Sequence, residues 1–218
     1  MLIGSICHSH DPFESFQRKS FTHEEYPAFM KLDKLLSQHR KILIKRWFDE
    51  VVRTYPSDTA QFLKQQKDPF ANPVGSTTLK GLEALFDVLM TGMDRDAVIS
   101  FLDPIIRIRA IQDFTPSHAV SFILFLKQAI RETLQKELQD TEVMMSFVNF
   151  ESRVDHLCLM AFDIYMKCRE KLYQIQSNEM RNTTFRAFQR AGLVKDTPDD
   201  DVPGLRLVTP ALNGACTK

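Results

Sequence analysis

Glycine is scarce in this chain, with 7 in 218 residues against 17 phenylalanines. Glycine is the usual residue of tight turns. So few of them argue against a turn-rich β protein and for a helical core packed with large side chains. Cysteine is scarcer still: Cys7, Cys158, Cys168 and Cys216. None forms a C-x-x-C pair, which argues against a disulfide framework and fits a reduced compartment. An excess of either charge is also missing, because Lys plus Arg and Asp plus Glu both count 28. A nucleic-acid binder normally carries a basic surplus, so none is expected as partner. Long apolar runs are absent as well. The run from Ala119 to Leu126 stops at Lys127, well short of the roughly 18 residues that span a bilayer. The first residues carry neither a basic segment nor a long apolar one, so the expectation is a cytoplasmic protein without membrane insertion.

What is present is helical periodicity. Residues 1–29 lack it and read as a disordered N-terminal arm, with His8, His10 and His23 scattered through it. A competing expectation makes Met30 the natural start and the arm an upstream mis-start. The mass of the native protein separates the two. A first helix is expected from about Lys31 to Arg53, with Leu32, Leu35, Leu36, His39, Ile42, Leu43, Trp47 and Val51 on one face. Tyr55-Pro56 stops it, because the residue before proline avoids the α region. A short helix near Asp58 to Gln66 turns Phe62 and Leu63 inward.

Asn72-Pro73 then reads as an N-cap followed by a first-turn proline. Gly75 and Gly81 inside the helix that follows are read as sites of close helix approach. Asp94 caps another helix to about Leu102. Asp103-Pro104 and Thr115-Pro116 repeat the cap-then-proline device, opening helices to about Gln112 and about Leu138. The last helix is long, from about Glu142 towards Arg190. Along it Val154, Leu157, Ala161, Ile164, Cys168, Leu172 and Ile175 alternate steps of three and four, as in a coiled-coil seam. Ile164, Cys168, Leu172 and Ile175 are therefore candidates for a dimer helix that projects from the domain. Gly192 reads as a helix stop. Residues 191–218 hold three prolines and the run Asp199-Asp200-Asp201, and read as a disordered tail. No strand alternation appears, so the class is all-α.

Two stretches carry a resemblance. They are D-P-F-A-N-P-V-G from Asp68 to Gly75, with G-L-E-A-L-F-D from Gly81 to Asp87, and R-I-R-A-I-Q-D-F-T-P-S-H-A-V from Arg107 to Val120. The chain resembles the RsbRD N-terminal domain family, the sensory domain named after RsbT co-antagonist proteins, over about Leu35 to Tyr173. The resemblance implies a haem-free, globin-like helical bundle with a long C-terminal helix, a homodimer, and a regulatory role in stress signalling. Residues 30–190 would form that domain. Relatives pass signals to a following STAS domain. About thirty residues follow Arg190 here, so the signal would pass to a separate regulatory protein partner.

Candidate sites are few. Arg107, Arg109, Gln112, Asp113 and His118 form the polar part of the second stretch and are candidates for a ligand or partner contact. Arg109 and Asp113 are four apart and can pair along a helix, Arg107 could anchor an anion, and Ser117 with His118 could hold one at a helix start. The competing expectation is a structural network fixing the turn before Thr115. Cys7, His8 and His10 lack a fourth metal ligand at a recognisable spacing. His118 and His156 are the histidines that a haem would require. No nucleophile–base pair, phosphate loop or carboxylate pair stands out, so neither enzymatic activity nor a cofactor is expected. The leading expectation is a sensory or regulatory domain. The alternatives are an assembly accessory of a redox complex and, behind it, a haem or small-ligand binding protein.

Overall fold

The computed structural model describes residues 27–192 apart from residue 113, with side chains from residue 31 onward. The arm with Cys7, His8 and His10, the tail with Cys216, and Asp113 lie outside the described residues. Among the described residues seven α-helices follow in order: α1 (Pro27–Arg53), α2 (Ser57–Gln65), α3 (Pro73–Thr91), α4 (Arg95–Ile111), α5 (Pro116–Ser121), α6 (Phe125–Thr133) and α7 (Thr141–Arg190). A single 3-10 turn, Glu137–Gln139, joins the last two. The class is all-α, without strands among the described residues. The chain divides into two compact units, Met1–Glu170 and Lys171–Lys218.

The first unit is built around α1, whose Leu32, Leu36, Leu43, Trp47 and Val51 are buried. It packs against α3 and α6. Ile42, expected on that face, is half exposed, and Phe62 on α2 is too, while its neighbour Leu63 is buried. The close approach expected at glycine is realised at Gly81, where α3 meets α4. A Cβ there would stand 2.5 Å from Ile105 Cδ1 and 3.3 Å from the Phe101 carbonyl oxygen.

The caps form as their chemistry dictates. Asn72 Oδ1 accepts from Gly75 N at 2.8 Å and Asp94 Oδ2 from Ala97 N at 2.9 Å. Asn72 does more than cap, for it is itself buried and its Nδ2 donates to the carbonyls of Leu63 (3.0 Å) and Gln66 (2.9 Å). One side chain thus ends α2 and begins α3. At the far end of α3, Gly92 takes φ 117°, and Arg153 of α7 donates to the Leu89 carbonyl at 2.7 Å.

Two boundaries differ from the sequence reading. Pro104 lies inside α4 instead of opening a new helix. Proline removes one bond, that to the carbonyl four residues back. Here both Pro104 and Ser100 are exposed, so the lost bond lies on the outer side of the helix. Val98, Leu102, Ile105 and Ile106 meanwhile hold the other face in the core. The helix opened by Pro116 breaks after Ser121. Trp47 Nε1 donates to the Phe122 carbonyl at 2.7 Å, and Leu126 N turns to the Ile123 carbonyl. A carbonyl drawn to the indole leaves the ladder, and the chain tightens into three-residue turns before α6 resumes.

In the second unit the helical residues from Lys171 onward are mostly exposed, Leu172 being half-buried. Arg181 Nη2 donates to Asn178 Oδ1 at 2.6 Å within it. Gly192 takes φ 68°, the left-handed conformation of a helix stop.

Asn72→Ala is expected to destabilise the protein by about 2–3 kcal/mol, a lost cap plus the buried Leu63 carbonyl and the partly buried Gln66 carbonyl left without donors. Asn72→Asp, which keeps the cap and loses both donations, should recover only about 1 kcal/mol of this. Urea unfolding of the three proteins checks the order.

Candidate functional site

The C-terminal end of α4 directs one cation into the interior. Arg109 is 1% exposed, among the most buried large side chains of the protein. Its Nε donates to the Ala119 carbonyl (3.0 Å), and its Nη2 to the His118 carbonyl (3.0 Å) and to Thr54 Oγ1 (3.1 Å). Three rings surround the guanidinium: Phe114 with its centroid 4.2 Å from Cζ, Phe122 at 5.3 Å and Tyr55 at 5.5 Å. These are cation–π distances. Nη1 is buried and has no hydrogen-bond partner. Burial pushes the Arg109 pKa down from its ordinary value, with Tyr55 pulling the other way.

Tyr55 is the second member. It follows the end of α1, its ring meets Phe114 edge-on at 5.3 Å, and its hydroxyl donates to Gln112 Oε1 at 3.1 Å. Burial pushes its phenol pKa up, and the neighbouring guanidinium partly offsets that. Gln112, half-buried just after α4, is therefore joined to Arg109 through Tyr55.

The other candidates fall elsewhere. Arg107 is exposed and pairs with Asp103 one turn back on α4. His118 is exposed; its N–H is used by Thr115 Oγ1 at 3.4 Å and its carbonyl by Arg109. It contributes backbone to the corner, while its ring lies 6.3 Å from that of Phe114. His156 is half-buried on α7. Ile164 is buried in the protein's own core and Cys168 packs against that core, whereas Ile175 is 53% exposed. Cys158 is half-buried, and burial pushes its thiol up, away from the reactive thiolate.

Three side chains escaped the sequence reading, all on α7. Tyr165 donates from its hydroxyl to the Phe114 carbonyl at 2.8 Å, Arg169 Nη1 to the Ala110 carbonyl at 3.1 Å, and Arg153 to the end of α3. Two arginines thus meet the carbonyl ends of α3 and α4, where the helix dipole favours a cation. Their spacing on a long helix resembles that of any polar face and gave no signal.

An exposed apolar stripe also runs along α7. Met145, Val148, Leu159, Phe162 and Met166 are each 42–65% exposed. They fall on positions 145, 148, 152, 155, 159, 162 and 166, a strict alternation of three and four that Ser152 and Asp155 complete. This is a different stripe from that of Val154, Leu157, Ala161 and Ile164, which is spent on the core.

Among the described residues, seven helices, a polar corner joined to the last of them, and an exposed heptad stripe along that helix define an all-α domain. The profile of the RsbT co-antagonist protein rsbRD N-terminal domain matches residues 42–180. The chain belongs to this family, whose domains are sensory and regulatory and act in stress signalling. Neither a curated protein nor a solved structure matches it. Among the described residues no helix is long and apolar enough to cross a membrane.

Replacing Arg109 by Lys is expected to destabilise the fold by roughly 2–4 kcal/mol. A single ammonium cannot reproduce the planar fork that serves two carbonyls and a hydroxyl between rings. Chemical denaturation measures it. The raised Tyr55 pKa gives a pH test. The unfolded phenol ionises near its ordinary 10.0, before the folded one. The contribution is therefore full below that pH and is lost as pH climbs through the raised folded value. Tyr55→Phe should lose less stability than wild type between pH 8 and pH 11, a range spanning the phenol's ordinary pKa of about 10, as followed by urea unfolding.

Proposed function

We propose that this chain is a non-enzymatic, haem-free and globin-like sensory domain that works as a homodimer on a separate regulatory protein. The stripe of Met145, Val148, Leu159, Phe162 and Met166 carries the reading. Heptad spacing is the pattern by which one helix packs against a copy of itself, knobs into holes. Clustered exposed apolar side chains mark interaction sites, and here Met145 with Val148 and Leu159 with Phe162 and Met166 form two clusters on one stripe, separated by Ser152 and Asp155. The pattern continues in sequence to Tyr173 and Met180, both largely exposed. The helix pair would place Phe162 and Met166 centrally.

In this reading the signal is a change in how α7 packs. Tyr165 and Arg169 hold the end of α4 from the same helix that carries the stripe. A shift of the α4–α5 corner would therefore turn or slide the face that meets the second copy, and a partner protein would read the altered helix pair. The family supports the regulatory half of this reading, and the stripe supports the dimer.

Light scattering and native mass spectrometry of the full chain test it. The wild type should be a dimer at micromolar concentration. Phe162→Glu should raise the dimer dissociation constant about 30-fold or more, the effect of losing a central anchor worth about 2 kcal/mol. The helical circular dichroism should stay unchanged. A wild type that is monomeric under these conditions overturns the proposal.

A further inference from the structure

Arg109 presents an unusual account. A cation taken out of water is costly unless an anion accompanies it. Its Nε and Nη2 are satisfied by carbonyls and a hydroxyl, all neutral, and no carboxylate among the described residues forms an ion pair with it. Nη1 is enclosed by protein and bonded to nothing. Orphaned buried donors are uncommon and call for a cause.

Next to this corner lies a cavity of about 170 Å³, lined by Tyr55, Phe62, Leu63, Asn72, Val74 and Gln112 among others. Its walls are mainly apolar, and it opens to solvent beside the exposed Thr59, Phe62 and Pro73. Polar chemistry is offered at the Tyr55–Gln112 pair. The Tyr55 hydroxyl is committed to Gln112 Oε1, while the Gln112 amide Nε2 donates to no described group. Tyr55 lies between the two features, lining the cavity with a ring whose centroid is 5.5 Å from the Arg109 Cζ. A mainly apolar groove and the Gln112 amide thus lie on one side of Tyr55, and on the other a guanidinium that has no ion pair among the described residues.

We infer that this cavity binds a small carboxylic acid with a single-ring or branched apolar body. The body fills the space between α2 and the start of α3. The carboxylate accepts from Gln112 Nε2 and, as the Tyr55 hydroxyl swings aside, from Arg109 Nη1. This deepens the sensory reading and depends on it for its consequence alone, since the ligand would act on the corner that Tyr165 and Arg169 hold. A neutral molecule of the same shape would fill the chamber and leave the cation unmatched.

Benzoate and toluene are suitable probes, titrated into the full-length chain by calorimetry and by the emission of Trp47. That tryptophan donates to the carbonyl of Phe122, one of the rings around Arg109. Benzoate is expected to bind one per chain and to shift the emission. Toluene should bind about a hundredfold more weakly, two charge-assisted hydrogen bonds' worth. Val74→Phe fills the chamber from a half-buried position and should lose benzoate while keeping its unfolding midpoint. Gln112→Ala should weaken benzoate about tenfold and leave toluene unchanged. Absence of saturable benzoate binding at millimolar concentration, equal affinity for toluene, or wild-type affinity in both variants overturns the inference. Light scattering on the same samples keeps the two proposals separate. A dimer that ignores benzoate sinks this site alone, and a monomer that binds it sinks only the helix pairing.

Discussion

The corner between α4 and α5 depends on one guanidinium. Arg109 reaches out of α4 and donates to two carbonyls of α5 and to the hydroxyl of Thr54 beyond α1. Three segments distant in sequence therefore share a single rigid fork. The arrangement is possible because arginine is planar, multiply donating and weakly hydrated, so it can lie against rings while bonding in plane. Phe114, Phe122 and Tyr55 supply the rings. Without the cation, the buried Ala119 carbonyl would be left without a donor, a penalty larger than the net gain of the bond itself. The corner is held mainly by the cost of its alternatives.

The long helix takes its place from the same logic at helix ends. The last carbonyls of a helix have no partner within it. Those of α3 and α4 are met by Arg153 and Arg169 of α7, and Tyr165 meets the carbonyl of Phe114. One face of α7 packs on the core through Phe147, Phe150, Val154, Leu157, Ala161 and Ile164. Apolar burial sets how strongly it docks, and the three polar contacts set its rotation and register. The heptad stripe is left on another face as a consequence. The corner and the stripe are thus carried by one continuous helix.

The helices were legible where caps and apolar periods agree. Asn72-Pro73 and Asp94 mark their helix starts by side-chain chemistry that acts within four residues, so the sequence contains all of the cause. Pro104 and Phe122 show the opposite. Whether a proline breaks a helix depends on which face loses the bond, and whether a helix breaks at Phe122 depends on an indole 75 residues away. Both causes are tertiary. The seam on α7 was legible as a period but not as a destination. A 50-residue helix can carry two apolar stripes, and only packing shows that Ile164 belongs to the core while Phe162 does not. Arg109 was recognised as a polar residue of interest, yet an exposed pair and a buried fork look alike four residues from an aspartate.

A chain selected for stability alone would have little reason to place a cation there, since well-packed apolar side chains commonly match or exceed a buried charge in stability. What the guanidinium adds is direction. Apolar packing tolerates small slides, whereas a fork that must serve Ala119, His118 and Thr54 together has few acceptable positions. Such a corner changes by switching between discrete arrangements more readily than by drifting. A regulatory domain needs this property, because a stimulus can bias only states that differ in free energy of interaction with it. The open Nη1 supplies the asymmetry: an arrangement that satisfies this donor gains a charge-assisted bond, and one that does not leaves it buried and unmade. The element best able to make the domain responsive is therefore the same one that holds its helices in place.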